Sequence, residues 1–280
     1  MPQAPDDKAL ILPAYDGFSV EGEDNEVLKI ITQGQHVAIP VKDWKYEWRR
    51  QAQPILSFLY LGPSSAARNI EMMRQEGITM LLVIRDNKTA MASLLSGQKV
   101  ANQLGIQAAS IDVSGHYELI AAFPRAIKII NDHLISIYRR QVADGASPDA
   151  GSRNAWGKIL VFCESGNERS AAVVAAYLMN MYAMDLVSAI QYIQSQRFCV
   201  AFDDGLKNML YNYHQLLEAQ KAVSASSMES RTRSPSRGPT KRGRDEMDDD
   251  DSDMTMDHLD DSERFGGRTS FVPFQDDKEY

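Results

Sequence analysis

The sequence predicts an α/β domain: a central mixed sheet with helices on both faces. Short apolar runs at 55–61, 78–84, 106–111 and 158–162 have the length of buried strands rather than of helices. The segments between them carry helix start and stop signals, such as Ser64 or Ser65 opening 64–76 and Gly77 closing it. Strands that alternate with helices in this way imply a sheet covered on both sides.

Residues 1–43 show no clear periodicity. Val27–Ile31 and His36–Ile39 have the make-up of a short hairpin, but Gly22, Gly34 and Pro40 favour an irregular lead-in. Trp44, Tyr46 and Trp48 then alternate with Lys45, Glu47 and Arg49, a stripe suited to covering a domain edge. Helices are expected at 64–76, 90–103, 121–140, 170–182, 186–196 and 204–222, with Asp185 capping the fifth. The stretch Ala143–Trp156 is rich in Asp, Gly, Ser, Pro and Asn and reads as a surface insertion. The expected organisation is therefore a lead-in over 1–43, a domain over 44–222 and a tail over 223–280.

Charge divides along the same boundary. The net charge is −8. Residues 1–222 carry 21 basic and 23 acidic side chains, whereas 223–280 carry 9 and 15. Residues 224–240 are rich in Ser, Thr, Arg and Pro and have too little apolar content to offset the entropy of folding. Lys241-Arg242-Gly243-Arg244 fits either a nuclear-import patch or a solvated basic linker. Asp245–Glu263 holds eleven acidic residues and no Lys or Arg, so self-repulsion should keep it extended. A net acidic chain argues against nucleic acid as a ligand. No apolar stretch reaches the length of a membrane span, so a soluble, non-membrane protein is expected. Two cysteines are too few for a disulfide framework or a structural zinc site.

The segment that carries chemistry is 158–176. An apolar run ends at Cys163; Glu164, Ser165, Gly166, Asn167 and Glu168 follow, then Arg169, Ser170 and a small-residue helical stretch. The first N–H groups of a helix have no partners of their own and suit an anion. Curled around one point, the N–H groups of 164–169 and the Arg169 guanidinium hold three phosphate oxygens, with the planar fork engaging two. The same donors favour a thiolate at Cys163, which can attack phosphorus and form a thiophosphate. Ser170 is placed to donate to that sulfur when it leaves, and Gly166 gives the turn room. An acid for the leaving oxygen is also required. Asp112, just after the 106–111 strand, is the candidate, with His116 and Glu118 as alternatives. Such a loop needs no metal or organic cofactor.

The loop resembles the Cys-x5-Arg signature of protein tyrosine and dual-specificity phosphatases. The nearer likeness is to their serine/threonine/tyrosine-interacting, pseudophosphatase subfamily. It rests on Leu59-Tyr60-Leu61-Gly62-Pro63-Ser64-Ser65-Ala66, on Gly77-Ile78-Thr79 leading into Leu82-Val83-Ile84-Arg85, on Arg169-Ser170-Ala171-Ala172 and on Arg197-Phe198-Cys199. The resemblance implies the tyrosine-phosphatase fold and binding of phosphorylated proteins. It also implies partners such as a protein kinase or a ubiquitin-ligase adaptor. A monomer of cytoplasm and nucleus is expected. The pseudophosphatases carry glycine where this chain has Cys163. Active relatives carry His where it has Phe162. By register with the relatives, Val113 rather than Asp112 occupies the acid's place. Glu164 and Glu168 make the loop acidic, as in the phosphatases that activate cyclin-dependent kinases, and are tolerable if both face solvent.

Overall fold

The computed structural model describes residues 10–17, 19–32, 37–38, 43–88, 90, 97–145 and 157–232. At the N-terminus, β1 (Leu10–Ile11) pairs antiparallel with β2 (Val37–Ala38), and α1 (Glu23–Thr32) lies between them. The lead-in is thus not irregular throughout, and 27–31 is helical rather than one arm of a hairpin. Glu23, Asp24 and Glu26 suit the positive helix start, and Leu28 and Ile31, three apart, share a face buried in the main core. Tyr46–Arg50 is a short 3₁₀ turn, with Trp44 and Trp48 packed edge to face at 5.8 Å.

The predicted single strand at 55–61 is a hairpin of β3 (Gln53–Leu56) and β4 (Leu59–Pro63). Ala66–Arg68 forms a 3₁₀ turn, and α2 (Ile70–Glu76) starts only at Asn69, whose side chain caps it in place of Ser64 or Ser65. Next come β5 (Met80–Asp86), α3 (Gln98–Leu104), β6 (Gln107–Val113) and α4 (His116–Ala143). The chain closes with β7 (Ile159–Cys163), α5 (Arg169–Met181), α6 (Leu186–Gln196) and α7 (Asp204–Thr232). Asp185 caps α6 as expected, accepting the Ser188 N–H at 3.0 Å. The start of the expected 90–103 helix, most of the 143–156 insertion and the tail from 233 lie outside the described residues. The last helix runs ten residues past its expected end, and the chain divides between Thr232 and Arg233.

The five main strands lie in the order β3-β4-β7-β5-β6, all parallel except β3 at the edge. Side chains alternate between the faces of a strand, so the two sets are separable. Met80, Leu82, Ile84, Ile111, Val113, Ile159 and Val161 join α1, α4, α5, α6 and α7 in the larger core. Tyr60, Leu81, Val83, Leu160 and Phe162 join Met73 of α2 and Ala101 of α3 in the smaller one. Helix α5 is enclosed, with every residue from Ser170 to Met181 buried. Among the described residues, no helix is long and apolar enough to cross a membrane.

One titrating group is built into this frame. His133 is 4% exposed, its ring nitrogens 2.8 Å from Thr79 Oγ1 and Gln107 Oε1. Burial, then the Arg140 charge, lowers its pKa from 6.5 to about 4. The unfolded chain therefore takes up a proton first. His133 contributes fully to stability above pH 6.5, and the contribution is lost as pH falls toward 4, up to about 3 kcal/mol. Urea midpoints at pH 7.5 and 4.5 should differ accordingly, and His133→Gln should remove most of that difference.

Candidate active site

Central strand β7 ends at Cys163, and the chain turns through 164–168 into α5. The loop's geometry follows from where its carbonyls go. Glu164 O accepts from the Ser64 N–H at 3.3 Å. Ser165 O and Gly166 O accept from the Arg197 guanidinium at 3.2 and 3.1 Å. Asn167 O accepts from the Ala201 N–H at 3.3 Å. Four consecutive carbonyls are therefore bound to groups outside the loop. A trans peptide sets its N–H opposite its C=O, so the amides that follow turn inward. Gly166 N–H does so visibly, donating to Cys163 Sγ at 3.2 Å. Ser170 Oγ donates to the same sulfur at 3.1 Å. Asn167 N–H instead bonds Ser165 Oγ at 3.2 Å.

Gly166 is required on two counts. Its φ is +73°, and a Cβ there would lie 2.4 Å from the Gly62 carbonyl carbon and 2.5 Å from its oxygen. Gly62 is itself closed in, since its own Cβ would meet Ala52 Cα at 2.9 Å. Loop and β4 thus touch backbone to backbone.

Arg197 ties the loop down from behind. It is fully buried and bonds Arg49 O, Gln51 O, the Gln53 side chain and Asn167 Oδ1 besides the two loop carbonyls. Burial lowers its pKa, while attraction to the Cys199 and Cys163 sulfurs opposes the fall. Cys199 is half-buried, its sulfur 3.3 Å from Asn167 Oδ1, and burial pushes its thiol pKa up.

The Arg169 guanidinium pairs with Asp86 at the C-terminal end of β5, Nη2 to Oδ2 3.0 Å. The Lys88 backbone N–H, bonded at 2.9 Å, with help from the Arg169 and Lys88 charges, holds the Asp86 carboxyl below the ordinary aspartate range. The Asp86 carboxylate thus orients Arg169. Glu164 and Glu168 are both exposed, which answers the like-charge objection to an acidic loop.

Asp112 is not brought to the loop. Alternation along β6 sends Ile111 and Val113 to the α5 side and Asp112 to the α2/α3 side, where Arg85 grips it with two bonds of 2.6 and 2.8 Å. Of the alternatives, Glu118 accepts the Ser114 N–H at 2.6 Å and serves its own helix start, and the His116 side chain lies outside the described residues. Buried Val113 occupies the α5-facing position. Phe162 packs into the smaller core against α2 and α3, where His stands in active relatives. Among the described residues, no group of three His, Cys, Asp or Glu side chains has metal-site geometry.

The model for "Dual specificity phosphatase, catalytic domain" matches residues 149–216. Serine/threonine/tyrosine-interacting protein of Homo sapiens is 30% identical over 184 residues, which is 65% of this chain and 73% of that one. The chain belongs to that dual-specificity phosphatase family. Dual specificity phosphatase 28 of Homo sapiens is 38% identical over 69 residues, 25% of this chain and 39% of its own. The crystal structure of the human tyrosine phosphatase-like serine/threonine/tyrosine-interacting protein covers 60% of this chain and 97% of its own, at 27% identity and a TM-score of 0.44. A phosphatase domain of this family binds phosphorylated protein.

The structure brings Cys163, the 164–168 loop and Ser170 together at the end of β7. Sequence reasoning missed Asp86 as the partner of Arg169, and it used Arg197 only as a mark of likeness. For Asp86 a signal was available: it continues the alternation of Met80, Leu82 and Ile84 on the α5 side.

Proposed function

We propose that the domain is a cysteine-dependent protein phosphatase that acts on phosphotyrosine and only weakly on phosphoserine and phosphothreonine. The observation that carries this reading is the pair of donors, Gly166 N–H and Ser170 Oγ, aimed at Cys163 Sγ. Two hydrogen bonds to sulfur stabilise it as an anion, before attack and again on leaving. The Cys163 thiolate attacks phosphorus, the S–P bond forms and the aryl-oxygen–phosphorus bond breaks. The phenolate, a good leaving group, takes its proton from water. Water then attacks the thiophosphate, releasing inorganic phosphate and restoring the thiolate. An alkoxide from phosphoserine leaves poorly without an acid, and Asp112 faces away from the loop.

A second reading, a phosphoprotein adaptor with little turnover, is favoured by Asp112 facing away from the loop and by the pseudophosphatase relatives. Its partners would be a protein kinase or a ubiquitin-ligase adaptor. Residence in cytoplasm and nucleus, and a monomeric state, belong to both proposals.

Turnover of an aryl phosphate and a phosphotyrosine peptide tests them. Cys163→Ser should lower turnover about 10³-fold or more, while Asp112→Asn should stay within about twofold of wild type. Binding without turnover, abolished by Arg169→Ala, would establish the adaptor instead. Equal behaviour of all variants would sink both.

A further inference from the structure

Beside the phosphate loop lies a cavity of about 200 Å³ that the proposed chemistry does not use. It is lined by Arg49, Arg50, Pro63, Ser65 and, from the loop, Ser165 and Asn167. Both arginines sit on anchored backbone: Arg49 O accepts from buried Arg197 at 2.9 Å, and Arg50 O from Ser65 Oγ at 3.1 Å. The Arg49 guanidinium is further held over the Tyr46 ring, 3.9 Å from its centroid. A stacked guanidinium loses less freedom on binding than a free one. No carboxylate among the described residues forms an ion pair with either guanidinium. Two arginines with no carboxylate partner among the described residues, one of them held over a ring, line a small cavity and match an anion with several oxygens.

We propose that this cavity is a second anion subsite. It receives an anionic side chain, a carboxylate or a second phosphate, lying a few residues from the phosphorylated residue held in the Cys163 loop. The proposal rests on the phosphate-binding reading above. It makes Arg49 and Arg50 specificity-determining residues for peptide sequence, without a part in bond breaking. The wall shared through Ser165 and Asn167 makes the two subsites neighbours. An extended peptide covers about 3.3–3.6 Å per residue, so a separation of one to three residues spans the range to be tried.

Peptides carrying a non-hydrolysable difluorophosphonate mimic of phosphotyrosine provide the test. A neutral reference is compared with peptides bearing one Glu or one phosphoserine one to three residues to either side. For one placement, Glu should tighten binding about three- to tenfold and phosphoserine more, because each exposed pair contributes modestly and a dianion engages both forks. In Arg49→Gln/Arg50→Gln the ratio to the reference peptide should fall to about one. Arg50→Gln alone, at an exposed side chain, should remove part of it and serves if the double variant folds poorly. No gain at any placement, or a gain that survives both substitutions, would overturn the subsite while leaving the loop reading intact. Failure of wild type to bind even the neutral peptide would strike the loop reading itself. An arginine-dependent gain for a soluble inositol bisphosphate over the monophosphate, with none for the peptides, would reject the peptide assignment.

Discussion

Arg197→Met should destabilise the domain by about 4–5 kcal/mol and cost it phosphate affinity at the same time. The guanidinium bonds six acceptors on two separate segments, 49–53 and 165–167, and methionine satisfies none of them. Buried acceptors left without donors cost about 1–3 kcal/mol each before relaxation. Stranding a whole buried network reaches the upper range for single substitutions. The carbonyls of Ser165 and Gly166 would no longer be held outward, so the amides that follow them lose their aim. Arg197→Lys keeps the charge and three donors but not the fork, and should fall about midway in both respects. Thermal unfolding and titration with a phosphotyrosine mimic would report the two effects separately. Full stability with unchanged phosphate affinity in Arg197→Met would refute the role given to this residue.

Gly166→Ala is the second large effect, about 3 kcal/mol or more. A left-handed backbone costs a residue with a Cβ about 1–2 kcal/mol. The remainder comes from a contact of 2.4 Å with backbone that cannot swing aside as a side chain would. The controls are Gly77→Ala and Gly105→Ala, where φ is also positive but a Cβ meets nothing within 4 Å. Each of these should cost only about 1 kcal/mol. If all three substitutions lowered the melting temperature equally, the close approach of loop and β4 would have no energetic weight. Gly166→Ala should also weaken phosphate binding, because relieving the clash pushes the loop off Gly62; the controls should not.

Much of this was legible in the sequence, and the exceptions share a cause. The strand ending at Cys163, the capped helix after Asp185 and the Cys163–Ser170 loop are all local, fixed by residues within a few positions of one another. Asp112 misled because spacing gives distance along the chain but not the face of a sheet; a one-residue step turned it toward Arg85 and away from α5. The bonds of Asp86 to Arg169 and of Arg197 to Gly166 join residues 83 and 31 positions apart, which no local pattern announces. The lead-in was misjudged because α1 is short and gains its stability from α4 and the core, not from its own pattern.

The ion pair between Asp86 and Arg169 has a consequence for selectivity. A monovalent visitor such as chloride or acetate meets a guanidinium already matched by a tethered competitor of equal charge, and exchanging one for the other gains little. A doubly ionised ester brings a surplus that the surrounding amides can absorb. The pair should therefore discriminate against ordinary buffer ions, and binding of phosphate monoesters is expected to strengthen as pH rises through their second ionisation, near pH ~6.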